Sequence, residues 1–365
     1  MAKSKLTVIV PVYNVAEYLP KCLDSLTQQT LKDFKIICVN DGATDNSGEI
    51  LADYAKKDAR ISVITKKNGG LSSARNAGLK ECKTEFVMFC DSDDYYDSKM
   101  CEKMLEAIEE NESDLAICGT RIVYNTHEDM RESDENYYKL KYKGKNRIDD
   151  DLILKTDVAM TNKIFRMRII RENKIEFPKG LNNEDFYFYN AYMSVSETAY
   201  FLREPLYNYV RRENSIMSQN FEAEKLSMDH LLVAEKLLDF YKKTGFIAGH
   251  TDLFWMQWVL SYWFSVEHSS KNFKKQIHTR AKDFAEKNFE KYSPKSEKVK
   301  NEVIWIWKNS LARRAMRRAR SVVARVYKKV NIKHRQQRYI NSELEGMLDK
   351  YDEMVERIRK IEEEK

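Results

Sequence analysis

Phe86-Val87-Met88-Phe89-Cys90-Asp91-Ser92-Asp93-Asp94 is an apolar run that ends abruptly in three carboxylates. A buried strand that delivers Asp-x-Asp-Asp to its C-terminal tip belongs in an open α/β sheet, where ligands settle in the crevice beyond the strand ends. Hard divalent cations take carboxylate oxygens, so the tip suits a cation that carries phosphates and points to a nucleoside diphosphate as ligand. The surrounding pattern agrees, because residues 5–120 alternate between strand-like and helix-like periodicity. Such alternation predicts a mostly parallel sheet with helices on both faces.

Other apolar runs are closed in the same way. Leu6 to Pro11 ends in Pro11-Val12-Tyr13-Asn14, and Ile36-Ile37-Cys38-Val39 ends in Asn40-Asp41-Gly42-Ala43-Thr44-Asp45. A glycine loop, Asn68-Gly69-Gly70-Leu71-Ser72-Ser73-Ala74-Arg75-Asn76-Ala77-Gly78, runs into a helix with an arginine one turn inside. Helix faces are legible as Leu19, Cys22, Leu23 and Leu26 after the first run, and as Met100, Met104, Leu105 and Ile108 after the acidic cluster. The strand Asp114–Gly119 is expected to close a nucleotide-binding half, 1–120. The polar, tyrosine-rich stretch 121–150 reads as an insertion or hairpin. An acceptor half, 121–220, then carries Asn162-Lys163-Ile164-Phe165-Arg166 and Phe177-Pro178-Lys179-Gly180-Leu181-Asn182-Asn183-Glu184-Asp185-Phe186.

Taken in order, Pro-Val-Tyr-Asn, Asn-Asp-Gly-Ala-Thr-Asp, Gly-Leu-Ser-Ser-Ala-Arg-Asn-Ala-Gly and Asp-Ser-Asp-Asp resemble the motifs of a family 2 glycosyltransferase with the GT-A fold, over roughly residues 5–218. The resemblance implies a Rossmann-like catalytic domain over 1–220, a UDP-sugar donor, Mn²⁺ or Mg²⁺, and a single displacement that inverts the anomeric centre. It makes Asp93 the main metal ligand, with Asp91 on the ribose or the metal and Ser92 between them. A metal there neutralises the charge that develops on the departing diphosphate. Asp94 is left between ligand contact and capping of the following helix. In the same pattern Asp41 accepts from a uracil ring, Pro11 and Tyr13 line the base pocket, and Asn68 and Arg75 reach the uridine or its phosphates. Glu184-Asp185 resembles the family's Glu-Asp motif, which makes Asp185 the base for the acceptor hydroxyl and Glu184 its neighbour. Arg212 and Ser215 fall in a segment that resembles one closing over the diphosphate. The chain departs from the commoner family spelling at Asn40, where Asp is frequent, and at Asn182-Asn183, where an aromatic-glycine pair is frequent.

Beyond residue 220 the period turns helical throughout, so an all-helical region follows the α/β domain. A bundle is expected over 221–300, a basic amphipathic helix over 301–338 and a heptad-patterned helix over 339–365. The aromatic run Leu253 to Val266 is too short and too interrupted by Gln257 and Ser261 to span a bilayer, which predicts a core helix, with interfacial membrane insertion as the lesser alternative. Between Lys295 and Arg338, fifteen Lys and Arg face two acids, a net +13 that leaves −7 for the rest of a chain totalling +6. Such a block suits an anionic membrane surface over residues 303–338. Ile340, Leu344, Met347, Tyr351, Met354, Ile358 and Ile361 form a heptad seam that suits either a homo-oligomeric coiled coil or packing on the same chain.

All six cysteines fall in the first third without a Cys-x-x-Cys pair and read as reduced core residues. The six histidines offer no paired metal-ligand spacing. With no signal peptide visible, the expectation is a cytoplasmic enzyme held peripherally at the inner face of the membrane, using a glycan, lipid-linked or polyanionic envelope acceptor. The competing reading is a catalytically silent protein that binds a polyanion or nucleic acid through its basic helix. Base-stacking aromatics are scarce in that helix and no nucleic-acid motif is visible, so no nucleic-acid partner is expected.

Overall fold

The computed structural model describes residues 4–126, 129–138, 140–211 and 224–308. Strands β1 (Leu6–Val12), β2 (Lys35–Asn40), β3 (Ile61–Thr65) and β4 (Phe86–Phe89) alternate with helices α1 (Leu19–Thr27), α2 (Ser47–Lys57) and α3 (Leu71–Glu81). β5 (Tyr95–Tyr96), α4 (Met100–Glu110), β6 (Leu115–Thr126), β7 (Asp129–Tyr138), β8 (Gly144–Arg147) and α5 (Asp150–Lys155) follow. β9 (Lys163–Arg166), α6 (Met167–Asn173), α7 (Glu184–Met193) and β10 (Thr198–Arg211) complete the α/β part.

The described strands form one sheet in the order β3-β2-β1-β4-β9-β6-β10-β5, with β7 added on β6 and β8 on β10. Pairing is parallel through β3, β2, β1 and β4, as the alternation predicts. Beyond β4 the sheet is mixed, since β9 runs antiparallel to β4 and β6 whereas β10 runs parallel to β6. Strand formation does not stop at Gly119. β6 continues to Thr126 because Ile122 and Val123 are fully buried against the core, and the polar stretch after it turns back as β7. The expected hairpin is therefore an extension of the sheet.

The period-two alternation of β1 sorts two cores. Leu6, Val8, Val10 and Val12 face α1 and α4, while Ile9 faces α3 and joins the core that contains α7. α1 buries the four residues its sequence pattern marks, Leu19, Cys22, Leu23 and Leu26. α3 lies so close to β1 that a Cβ at Gly78 would stand 2.5 Å from Cγ2 of Ile9.

Helices α8 (Glu224–Thr244), α9 (Thr251–Glu267), α10 (Phe273–Asn288) and α11 (Glu297–Lys308) follow the sheet. They are not a free-standing bundle. A continuous apolar cluster runs from Ile9 and Phe89 through Phe188 and Tyr192 to Trp255, Trp258 and Val303, so sheet and helices share one core. α9 is buried around most of its circumference, Gln257 and Ser261 included, which accounts for its dense aromatic run and bears out the core reading. Among the described residues no helix is long and apolar enough to cross a membrane.

The expected boundary at residue 301 falls inside α11, whose Val303 and Ile306 are buried and whose Trp305 and Trp307 pack on Trp263 and Phe289. Residues 303–308 thus belong to the core rather than to a membrane-facing helix. The basic stretch 309–338 and the heptad pattern of 339–365 lie outside the described residues. All six cysteines are buried thiols, as expected.

Candidate active site

Parallel pairing brings three of the sequence motifs to one edge of the sheet. Val12 is in register with Asn40 and Ile9 with Phe89, so the loops after β1, β2 and β4 emerge side by side. The first two loops are tied together by short side chains. Asn14, in the left-handed region at φ 51°, accepts from the Thr44 backbone N–H at 2.8 Å, and Asp45 accepts from the N–H groups of Ala16 at 2.9 Å and Ser47 at 3.0 Å. Asn40, the departure from the usual spelling, accepts from Ala43 N–H at 2.9 Å and so serves as the turn former.

Asp41 is buried, and its carboxylate gathers the glycine loop. It accepts from Lys66 Nζ, from Gly69 N–H at 3.1 Å and from Gly70 N–H at 2.7 Å. Gly42, at φ +73°, closes the same junction, since a Cβ there would lie 2.9 Å from Asn68 N. Gly69 N–H is shared between the two oxygens, so each oxygen of the Asp41 carboxylate accepts two contacts from the chain itself. Beside it, Tyr13 is half exposed and Asn68 exposed, whereas Pro11 is buried at the end of β1.

Arg75 is the centre of the arrangement. Its guanidinium is 1% exposed; Nη2 donates to Asp91 Oδ1 at 2.9 Å, and Nη1 donates to Glu184 Oε1 at 2.9 Å and Asp185 Oδ1 at 2.5 Å. Phe177 lies under it, 5.3 Å from ring centroid to guanidinium carbon, and stacks on Phe188 at 4.2 Å. The next residue, Asn76, clamps the Phe177 backbone from both sides, donating to its carbonyl at 2.8 Å and accepting from its N–H at 2.9 Å. The Ala-Arg-Asn-Ala-Gly motif thus divides its work: Arg75 collects carboxylates, Asn76 holds the floor and Gly78 lets the helix approach β1. Arg75 does not extend into the open crevice as a free phosphate ligand; its fork is engaged, and only Nε lacks a hydrogen-bond partner among the described residues. Asn76 was not singled out from the sequence, although it stands inside the motif.

At the strand tip Asp91 and Asp93 are partly exposed and Ser92 is buried. Asp94 takes neither of its anticipated roles. It is buried, accepts from the Tyr207 hydroxyl and from Val210 N–H at 2.7 Å, and so fastens β10 beneath the tip. Burial, with Asp93 and Asp91 adding like charge, holds its carboxyl well above the usual carboxylate range. Arg212 and Ser215, just past the end of β10, lie outside the described residues.

Glu184 and Asp185 open α7, where a helix N-terminus favours negative charge. The residue before them, Asn183, adopts φ 64°. This left-handed region is where glycine is preferred and asparagine is the best-tolerated alternative, so Asn183 suits the turn at a position where the commoner spelling has glycine. Burial raises the Asp185 carboxyl to about 7, with Arg75 pulling it down and Glu184 and Asp91 pushing it up. Lys163 is a further charged group at this level, whose sequence segment carried no assigned role. It is fully buried on β9, donates to Asp157 at 3.1 Å, Ala159 carbonyl at 2.6 Å and Asn162 at 2.9 Å, and its pKa is lowered by burial. Among the described residues, no group of three or more His, Cys, Asp or Glu is placed to hold a metal by protein ligands alone.

A parallel nucleotide-type half with Asp-x-Asp at a strand tip, joined to a mixed half that brings a helix-borne Glu-Asp pair beside it, defines the GT-A class of transferase fold. Residues 7–173 match the model of Glycosyl transferase family 2, which makes this part of the chain a member of that family. The uncharacterized glycosyltransferase EpsJ of Bacillus subtilis is 52% identical over 114 residues, covering 31% of this chain and 33% of EpsJ. Glycosyltransferase GlyA of Streptococcus pneumoniae is 34% identical over 226 residues, covering 59% of this chain and 32% of GlyA. This chain therefore spans about a third of the length of each. Among solved structures, Staphylococcus aureus TarS 1–349 in complex with UDP superimposes with a TM-score of 0.63 at 20% identity, covering 83% of this chain and 86% of the TarS chain. The family match ends at residue 173, ahead of Glu184, Asp185 and the four α-helices described in the C-terminal region.

Proposed function

We propose that this protein is an inverting glycosyltransferase that moves a sugar from a UDP-sugar to a hydroxyl of a cell-envelope acceptor. The observation that carries the reading is the Arg75 bridge: one guanidinium joins Asp91 of the strand tip to Glu184 and Asp185 of α7, which puts a diphosphate-type site and a candidate base at one locus. A carboxyl at about 7 suits a general base, because it is ionised at working pH yet basic enough to take a hydroxyl proton.

In this mechanism the acceptor oxygen forms a bond to the anomeric carbon as the bond from that carbon to the β-phosphate oxygen breaks. The hydroxyl proton goes to Asp185 and the bonding pair leaves with UDP. One displacement converts an α-linked donor to a β-linked product. Asp41, Pro11, Tyr13 and Asn68 are the proposed contacts of the uridine, with Arg212 and Ser215 added over the diphosphate. The donor set fits Mg²⁺ or Mn²⁺, which bind through one or two carboxylates together with substrate phosphates. Asp93 and Asp91 would hold the ion, and its chemistry would be to neutralise the leaving diphosphate.

TarS of S. aureus is a poly(ribitol-phosphate) β-N-acetylglucosaminyltransferase and has been crystallised with UDP-GlcNAc. By that likeness a hexose or N-acetylhexosamine donor and a polyol-phosphate or lipid-linked glycan acceptor are proposed here. We also assign the basic stretch 309–338 to the anionic inner face of the membrane and 340–361 to self-association. The deciding experiment follows UDP release across a panel of UDP-sugars with Mn²⁺, for wild type and Asp185→Asn. Release with one sugar, lost in the variant, is the expected result. Silence across the panel, without a rise in melting temperature on adding UDP, overturns the reading.

A further inference from the structure

We infer that Asp229, in the second turn of α8, is a positioning residue for Asp185, which makes the helical region part of the catalytic site. The inference rests on the reading of Asp185 as base and goes beyond it, because Asp229 lies well outside the family match at 7–173.

The turn that feeds α7 is not self-supporting. Gly180 and Asn183 both occupy left-handed backbone, at φ 76° and 64°, and the Asn183 side chain makes no capping hydrogen bond to the helix. The support comes from α8. Asn182 donates twice to one oxygen of Asp229, from its backbone N–H at 3.0 Å and from its Nδ2 at 2.7 Å. Asp229 is 3% exposed, so water competes little for that oxygen. Two donors from a single residue fix both the peptide plane and the side chain of Asn182, and Glu184 and Asp185 follow two and three residues later. A second hold acts further along α7, where Gln257 of α9 donates to Asn190 at 2.7 Å and accepts from Tyr241 of α8 at 3.2 Å. With its entry turn and its middle both held by the helical region, α7 has little freedom to shift Asp185 relative to Arg75. General-base catalysis is sensitive to such shifts, since misplacement by about 1 Å costs on the order of 100-fold.

The test uses the full chain carrying Asp229→Ala, Asp229→Asn or Asn182→Ala, with Asp185→Asn as reference. Hydrogen–deuterium exchange read by mass spectrometry needs no substrate. Asp229→Ala is expected to accelerate exchange over residues 181–187 while β1 to β3 remain protected. UDP release from UDP-GlcNAc with Mn²⁺, or from whichever UDP-sugar the donor panel identifies, is expected to lose on the order of 10- to 100-fold in kcat with donor KM within about twofold. Asp229→Asn keeps an acceptor oxygen and is expected to recover most of that loss. In the double variant Asp229→Ala/Asn182→Ala, the cost is expected to match that of one single variant, as for partners in one interaction. Unchanged exchange at 181–187 overturns the clamp. Faster exchange throughout the chain reduces Asp229 to a folding residue, and wild-type kcat in Asp229→Ala removes its role in positioning. Wild-type release by Asp185→Asn would instead remove the base assignment itself, a failure separable from the exchange result.

Discussion

Arg75 donates to Asp185 at 2.5 Å from a guanidinium that is almost wholly buried and that also reaches Asp91 at 2.9 Å. A single cation thus sits between the carboxylate proposed to contact the donor and the one proposed to activate the acceptor. Its planar fork is what allows both contacts, and a lysine cannot reproduce it. Arg75→Lys is expected to lower UDP release on the order of 100-fold. Wild-type release by this variant would show that the bridge is dispensable.

The pH dependence follows from the same cluster. Asp185 must be ionised to accept a proton, so release is expected to rise with pH through about 7. A neighbouring cation favours the ionised form and a neighbouring anion opposes it. Arg75→Lys should therefore move that limb little, Arg75→Met should move it up and Glu184→Gln should move it down. Opposite movements would exclude Asp185 as the titrating group.

Stability carries a matching signature. The Asp185 carboxyl is raised in the folded chain above its ordinary value of 3.8, to about 7, so the folded state holds this proton more tightly than the unfolded state does. Its contribution to stability is full below the lower value and falls as pH rises through the upper one. Wild type is expected to lose melting temperature relative to Asp185→Asn between those limits. A constant gap across that range would contradict the raised carboxyl.

Asp94 offers a structural prediction. Asp94→Ala strands the buried Tyr207 hydroxyl and Val210 N–H, a loss of about 2–4 kcal/mol. Urea unfolding measures it, and a change within experimental scatter would mean that β10 is held by its strand pairing alone.

Gly78→Ala forces a methyl to 2.5 Å from Ile9 Cγ2 and is expected to cost about 1–3 kcal/mol. The same substitution in an Ile9→Ala background should cost less, because the obstructing atoms are gone. Equal costs in the two backgrounds would place the strain elsewhere.

Truncation separates core from tail. A chain ending at Glu302 is expected to melt well below one ending at Lys308, because Val303 and Ile306 are buried in the shared core. Liposome binding by the basic stretch is therefore tested by comparing the full chain with the one ending at Lys308, which keeps the core intact. Equal melting temperatures would return 303–308 to the surface.

Much of the nucleotide-type half was legible because its signals are local. Strand periodicity in Leu6 to Val12, the helix face at Leu19, Cys22, Leu23 and Leu26, and the motif order each depend on residues within a few positions of one another. The buried aromatic helix at 251–267 was legible for the same reason. Asn183 shows the limit of motif spelling: it departs from the commoner glycine, yet the left-handed turn tolerates asparagine.

What the sequence by itself determined is the parallel α/β half, the strand-tip carboxylates and the family to which they belong. Only the tertiary structure decided that Arg75 spends its fork on carboxylates 16, 109 and 110 positions away, that Asp94 anchors β10 and that Asp229 holds the turn before the base. The physical reason is that periodicity records which face of an element is buried, whereas a buried charge takes its partners from whatever distant elements packing brings within hydrogen-bond reach.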